Sequence, residues 1–263
     1  MHLTVNDRTY WIEDEGEGTP LLFLHGFTGS SGIWEEVKAS LPEYRVLCAD
    51  LPGHGRTGDI GVVTMEQVAR DLYVLLERLG VETVSLIGYS MGGRTALSFA
   101  SMYPEMVERL VLESASPGLR TSEEREDRKE RDEKVIGLLE NEGIQAFTDK
   151  WEELPLFSSI KGIPETRRHS LRKERLDNDA QGLIASLKGM GTGVQPSVWH
   201  RLEDLDFPVC LIVGERDTKY RKLNAEMERM FPQAQVHLVN DAGHIPHLEK
   251  PDIFSEIVRH FMI

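Results

Sequence analysis

The chain is short of everything that would mark a membrane-bound or exported protein. No apolar run approaches the roughly 18 residues that a bilayer span needs. The opening MHLTVNDRTYWIEDEGEG has no basic stretch leading into an apolar one. Neither a membrane insertion nor a secretory signal is therefore expected. Cysteine is scarce, with two among 263 residues. Cys48 in RVLCAD and Cys210 in PVCLIVG both fall in expected buried strands, where thiols are inert core residues, and this fits a reducing cytoplasm. Basic charge is also in deficit. A formal net charge of −14 makes nucleic acid and anionic lipid poor partners. Repeats, low-complexity tracts and interdomain linkers are missing, and no histidines stand beside a carboxylate motif of the kind that suggests zinc, so no metal is expected.

What is present is ordered and periodic. Short runs of Val, Leu and Ile (LLFLHG, RVLCADL, VSLIGYS, RLVLESA, VCLIVGE, VHLVND) read as strands buried on both faces. HLTVN and RTYWIED precede them as an opening pair. In MEQVARDLYVLLERLG, Val68, Leu72, Leu75, Leu76 and Leu79 repeat at helical spacing and Gly80 ends the helix. Pro251 opens a last helix, PDIFSEIVRHFMI. The expectation is an α/β fold: a mostly parallel, eight-stranded sheet with helices on both faces.

That rhythm fails between Ser116 and Trp199, where the chain turns helical and charged without a buried strand. Some 80 residues are too many for a connecting loop. They read as a helical cap, residues 116–199, inserted after the sixth strand over a core of residues 1–115 and 200–263. The acidity is uneven here: residues 118–200 hold 14 Lys and Arg against 16 Asp and Glu, and eight of the 14 are arginine. Such a segment suits a small anionic ligand; a solvated helical face is the alternative.

Gly88-Tyr89-Ser90-Met91-Gly92 fits G-x-S-x-G, directly after a strand and before a helix. The glycines allow a tight turn that lifts Ser90 Oγ above the sheet. The same turn aims the Met91 N–H, at the positive end of a helix dipole, toward developing negative charge. Such a serine needs a base and a group to orient the base. Asp217 follows a strand in GERD, with Glu215 as a weaker rival. His244 follows the next strand in DAGH, with His247 as its rival and more suited to packing. Phe27 N–H, in the loop His25-Gly26-Phe27, is the second oxyanion donor. His25 and His54 read as loop-shaping residues.

Taken in order, HGF, DLPGHGRT, GYSMGG, GERD and AGH resemble the α/β-hydrolase superfamily over essentially the whole chain. The resemblance implies the fold and the triad Ser90, His244, Asp217, but not the reaction, because the fold hosts many chemistries.

Arg94 stands four residues behind Ser90, on the same face of the helix. A pocket for neutral esters has no use for a buried cation. Unless a core carboxylate meets it, the anion is substrate. The segments SPGLR, WEELPLF, LRKERLDN and MGTGVQPSVW, between Ser116 and Trp199, are similar to those of the 2-succinyl-6-hydroxy-2,4-cyclohexadiene-1-carboxylate synthases of menaquinone biosynthesis. This resemblance implies a lyase that releases pyruvate from a tricarboxylate, 2-succinyl-5-enolpyruvyl-6-hydroxy-3-cyclohexene-1-carboxylate, with Ser90 as base and no cofactor. It further implies that Arg94, Arg175 and either Arg128 (the better match) or Arg131 bind carboxylates, and that Tyr89 and Trp151 line the pocket. A carboxylic-ester or carbon–carbon-bond hydrolase with the same triad is the alternative, and a non-catalytic ligand binder a more distant one. Oligomeric state is left at monomer or small homo-oligomer.

Overall fold

A computed structural model describes residues 1–263. Eight strands form one sheet: β1 (His2–Val5), β2 (Arg8–Glu15), β3 (Pro20–Leu24), β4 (Arg45–Ala49), β5 (Val84–Tyr89), β6 (Val107–Glu113), β7 (Val209–Gly214) and β8 (Ala234–Val239). Their order across the sheet is β1-β2-β4-β3-β5-β6-β7-β8. The β1–β2 and β2–β4 pairs are antiparallel and all others are parallel. The helices are α1 (Glu35–Ala39), α2 (Met65–Arg78), α3 (Met91–Met102), α4 (Ser122–Glu152), α5 (Glu165–Leu176), α6 (Ala180–Met190), α7 (Thr218–Met230), α8 (Pro246–Glu249) and α9 (Pro251–Met262). None is long and apolar enough to cross a membrane.

Strand periodicity sorts the core into two layers. Leu22, Leu24, Leu47, Leu86, Leu110 and Leu211 pack on the face covered by α2 and α3. Leu21, Phe23, Cys48, Ile87, Val111 and Cys210 face the other side, where Val37 of α1 and Phe254 and Val258 of α9 meet them. Cys48 and Cys210 are free and buried. They lie on β4 and β7, four strand spacings or roughly 19 Å apart, well beyond disulfide reach. Helix α2 starts at a capping box formed by Thr64 and Gln67; of its expected apolar stripe Val68, Leu72, Leu75 and Leu76 are buried, while Leu79 lies just past the last helical residue and is half-buried.

Between β6 and β7 the chain forms α4, α5 and α6 and no strand. Helix α4 opens with a second capping box, Thr121 with Glu124, and is broken at Gly143, whose φ of 77° is non-helical. This insert has a small core of its own, including Ile136, Leu139, Phe147, Leu183 and Leu187.

Candidate active site

The parallel strands deliver their following loops to one edge of the sheet, where ligands bind in open α/β folds. Ser90, between β5 and α3, has φ 50° and ψ −104°, a conformation that a serine tolerates only when its surroundings impose it. They do. The Ser90 N–H donates to Glu113 O at 2.8 Å, tying the turn to the end of β6. Gly92 lies so close to β3 that a Cβ there would come within 2.0 Å of Leu24 O. Gly26 in turn lies flat on the Tyr89 ring, where an added Cβ would be 2.4 Å from a ring carbon. No larger residue fits at either position without moving backbone or ring.

Asp217 begins α7 and accepts the Tyr220 N–H at 3.2 Å through Oδ1. Its Oδ2 meets His244 Nδ1 at 2.6 Å, and His244 Nε2 lies 3.3 Å from Ser90 Oγ. Asp217 and His244 are buried. The His244 loop is fixed by Glu249, whose carboxylate accepts the N–H groups of Gly243 (2.8 Å) and Ile245 (3.1 Å). The rivals have other partners: Glu215 accepts the Asp241 N–H at 3.0 Å. His247 pairs with the buried Glu113 at 2.7 Å and stacks on Trp34. A serine, a histidine and an aspartate in this chain of hydrogen bonds can move a proton to and from Ser90 Oγ.

The Phe27 N–H donates to no acceptor in the protein, and the Met91 N–H, at the first position of α3, has no intrahelical acceptor by its position. His25 shapes the Phe27 loop: its Nε2 accepts the Leu51 N–H at 2.9 Å and its Nδ1 bonds Gly26 O at 2.8 Å. Burial pushes His25 down to about 4 and His54 to about 3, so both rings are neutral. Neither is a proton carrier at neutral pH.

Phe27, Tyr89, Ser90, Met91, Arg94, Arg128, Trp151 and His244 line one cavity of about 90 Å³, together with Tyr220 and Phe157. Arg94 is buried, and its Nη1 donates to Met190 O at 2.8 Å and to Gln195 Oε1. No carboxylate touches it. Burial lowers its pKa to about 10. Arg128 reaches the cavity while its Nε holds Asp132 at 2.7 Å, whereas Arg131 is exposed and does not line it. Trp151 packs edge-on against Phe27 at 5.4 Å, with its Nε1 buried and unpartnered.

Arg175 is placed differently. It is almost fully buried, but it lines a separate cavity of about 20 Å³ behind Tyr89, Phe27 and Phe157. Its Nη1 contacts Glu152 at 3.1 Å, its guanidinium lies 5.1 Å from the Phe157 ring centre, and its Nε has no partner. Glu152, Glu113, Glu249, Gln195, Tyr220 and Phe157 escaped the sequence reading. Glu113, Glu152 and Gln195 act through contacts distant in the chain, whereas Glu249 acts locally on the His244 loop. Glu152, Phe157 and Gln195 stand in the segments that carry the family resemblance, which by itself gives no role to any of the three. The largest cleft, about 860 Å³, lies between α5 and the Ser30–Glu36 segment, away from Ser90, and is lined mainly by polar and acidic groups such as Asp50 and Glu174.

A family model of the alpha/beta hydrolase fold matches residues 19–251. A Bacillus subtilis protein named putative 2-succinyl-6-hydroxy-2,4-cyclohexadiene-1-carboxylate synthase is 44% identical over 269 residues, covering 100% of this chain and 98% of that one. The chain belongs to the α/β-hydrolase family, in its 2-succinyl-6-hydroxy-2,4-cyclohexadiene-1-carboxylate synthase branch. Among solved structures, MenH from S. aureus superposes with a TM-score of 0.91 at 30% identity, covering 96% of this chain and 97% of that one. A malate-bound esterase from Thermogutta terrifontis reaches 0.84 at 29% identity, over 97% and 93%. A neighbour that is an esterase shows how little the fold alone says about the reaction.

Proposed function

We propose that this chain is a 2-succinyl-6-hydroxy-2,4-cyclohexadiene-1-carboxylate synthase, a carbon–oxygen lyase of menaquinone biosynthesis that eliminates pyruvate from 2-succinyl-5-enolpyruvyl-6-hydroxy-3-cyclohexene-1-carboxylate. Its substrate is a small tricarboxylate and it works in the cytoplasm. The observation that carries this reading is Arg94: a buried guanidinium without a carboxylate partner, in the same cavity as Ser90. Burying a cation without a counter-charge is costly, and the anion that meets this one is substrate.

Ser90, Asp217 and His244 supply the chemistry. His244, oriented by Asp217, takes the proton of Ser90 Oγ, and the serine oxygen removes the proton α to the succinyl carbonyl. The resulting enolate oxygen is held by the N–H groups of Phe27 and Met91, each worth on the order of 3 kcal/mol. The enolate electrons then form the C2=C3 ring bond, the existing C3=C4 bond shifts to C4=C5 and the C5–oxygen bond breaks. The enolpyruvate released takes up the proton held by His244 and becomes pyruvate, which resets the triad. No water is added, and the serine never becomes esterified. Arg94 and Arg128, which line the cavity of Ser90, take substrate carboxylates in this reading. Arg175 joins them by exchanging Glu152 for a carboxylate or by using its free Nε.

A cavity of about 90 Å³ is smaller than the roughly 300 Å³ and more of ordinary ligand sites. Substrate therefore binds as α4, α5 and α6 shift away from the sheet edge, so that residues 116–199 act as a cap. The test is to supply purified protein with the pathway intermediate and follow diene absorbance and pyruvate release. No pyruvate, with brisk turnover of neutral aryl esters, would make it a hydrolase instead.

A further inference from the structure

The contact that holds Arg94 is unusual for a buried arginine, because both of its protein partners are neutral. Met190 O, at the end of α6, lies 2.8 Å from Nη1, and Gln195 Oε1 meets the same nitrogen. Gln195 is 3% exposed and comes from the loop after α6, far from Arg94 in the chain. Its backbone is set by a bond from its own N–H to Gly191 O at 3.0 Å. The amide orientation is fixed by its partner, since only the oxygen can accept from a guanidinium.

The choice of an amide has a consequence. A glutamate of the same length would bind Nη1 more strongly, but it would cancel the charge. The one carboxylate nearby, Asp132, is held by Arg128. With Nη1 anchored, the Nε and Nη2 groups make no hydrogen bond in the protein and are not sealed off, since neither is among the buried unpartnered atoms. Those two N–H groups form one of the parallel pairs with which a guanidinium grips a carboxylate.

We propose that Gln195 is a positioning residue for the reaction: it fixes one side of Arg94 with a neutral oxygen, so that the full charge and the Nε–Nη2 edge stay available to a substrate carboxylate. This rests on the reading of Arg94 as a carboxylate binder. It assigns to the insert a second task besides covering the site, because α6 and its following loop set the arginine's orientation.

The probe is 2-succinylbenzoate, an aromatic dianion with the succinyl and ring carboxylates of the proposed product, compared with its neutral dimethyl ester. Titration calorimetry on the full chain should show Q195E binding the dianion about 10- to 100-fold more weakly than wild type, with the diester affected less than threefold. Q195M, which removes the acceptor without adding charge, should lie between the two for the dianion. In turnover, Q195E should raise KM by a similar factor with kcat within about fivefold. A residue that only packs would give the opposite order, with Q195M at least as damaging as Q195E and both probes weakened alike. That result, unchanged dianion affinity in Q195E, or wild-type protein that does not bind the dianion, overturns the proposal. Failure of wild type to release pyruvate would overturn the reaction assignment instead, and the two-probe comparison would still decide the role of Gln195.

Discussion

Replacing Arg94 with methionine separates the two things that a buried arginine can do. If it serves the fold, its loss should unfold the protein; if it serves a ligand, the fold should barely notice. Burial lowers the guanidinium to about 10. At about 1.4 kcal/mol per pH unit, this corresponds to a burial cost on the order of 3 kcal/mol. Against it stand two hydrogen bonds, to Met190 O and Gln195 Oε1, each contributing roughly 1.5 kcal/mol, the low end for a charged donor because a single nitrogen serves both. Methionine has a similar length and no charge to desolvate, so Arg94→Met should change stability by no more than about 2 kcal/mol in either direction.

Turnover should respond very differently. Truncating one partner of a buried arginine–carboxylate pair costs roughly 2–5 kcal/mol, or about 30-fold to several thousand-fold in kcat/KM. The assay pairs a thermal melt with steady-state pyruvate release. A melting temperature within about 8 °C of wild type, together with a kcat/KM at least 30-fold lower, is the expected outcome. A kcat/KM within threefold of wild type would refute the substrate role. A collapse of the melting temperature would refute the argument that the anion for Arg94 lies outside the protein.

Ser90→Ala should lower kcat by at least a thousandfold without lowering the melting temperature; more than a tenth of normal kcat would remove the serine from the mechanism. If Ser90 is a base, turnover in ¹⁸O-water leaves the diene unlabelled and rapid quenching traps no enzyme ester, whereas a competent Ser90 ester would mean hydrolase chemistry. Arg175→Ala should also lower kcat/KM, but less than Arg94→Met does, because Glu152 already compensates part of its charge; an equal or larger loss would put Arg175 at the centre of binding. Burial raises Glu174, beside Ser30, to about 7, so the folded chain keeps a proton that the unfolded chain releases above the ordinary carboxylate range, and stability falls as pH rises through that window. Glu174→Gln should therefore gain stability relative to wild type between pH 5 and 8, by up to about 3 kcal/mol, and melts with a constant difference across that range would contradict it.

The fold was legible because strand runs, helical spacing and turn glycines all point the same way. Leu22 and Leu24 alternate with Leu21 and Phe23 across two core layers because a strand allows nothing else. The triad was legible for a related reason: Ser90, Asp217 and His244 each follow a strand of one parallel sheet, and such strands end at one edge. Proximity there follows from topology. The partners of the arginines obey no such rule. Nothing between Met190 and Trp199 announces that Gln195 turns toward a helix about a hundred residues earlier, or that Glu152 on α4 takes Arg175 on α5. These contacts depend on how the insert lies on the sheet, which is tertiary packing without a local signature.

The split between legible and hidden parts also tracks the chemistry. Proton transfer needs a fixed set of atoms, and the fold supplies them through the ends of its parallel strands. Selecting a tricarboxylate needs charge left uncompensated in a buried place, which the sheet cannot provide by itself. The insert provides it, with a backbone carbonyl and an amide where a carboxylate would have been the more stable partner. An arginine held that way is a weaker contribution to the fold and a stronger one to binding. On the proposed reading, the arginine that selects the substrate stands on the core, while the groups that keep it charged and aimed come from the insert.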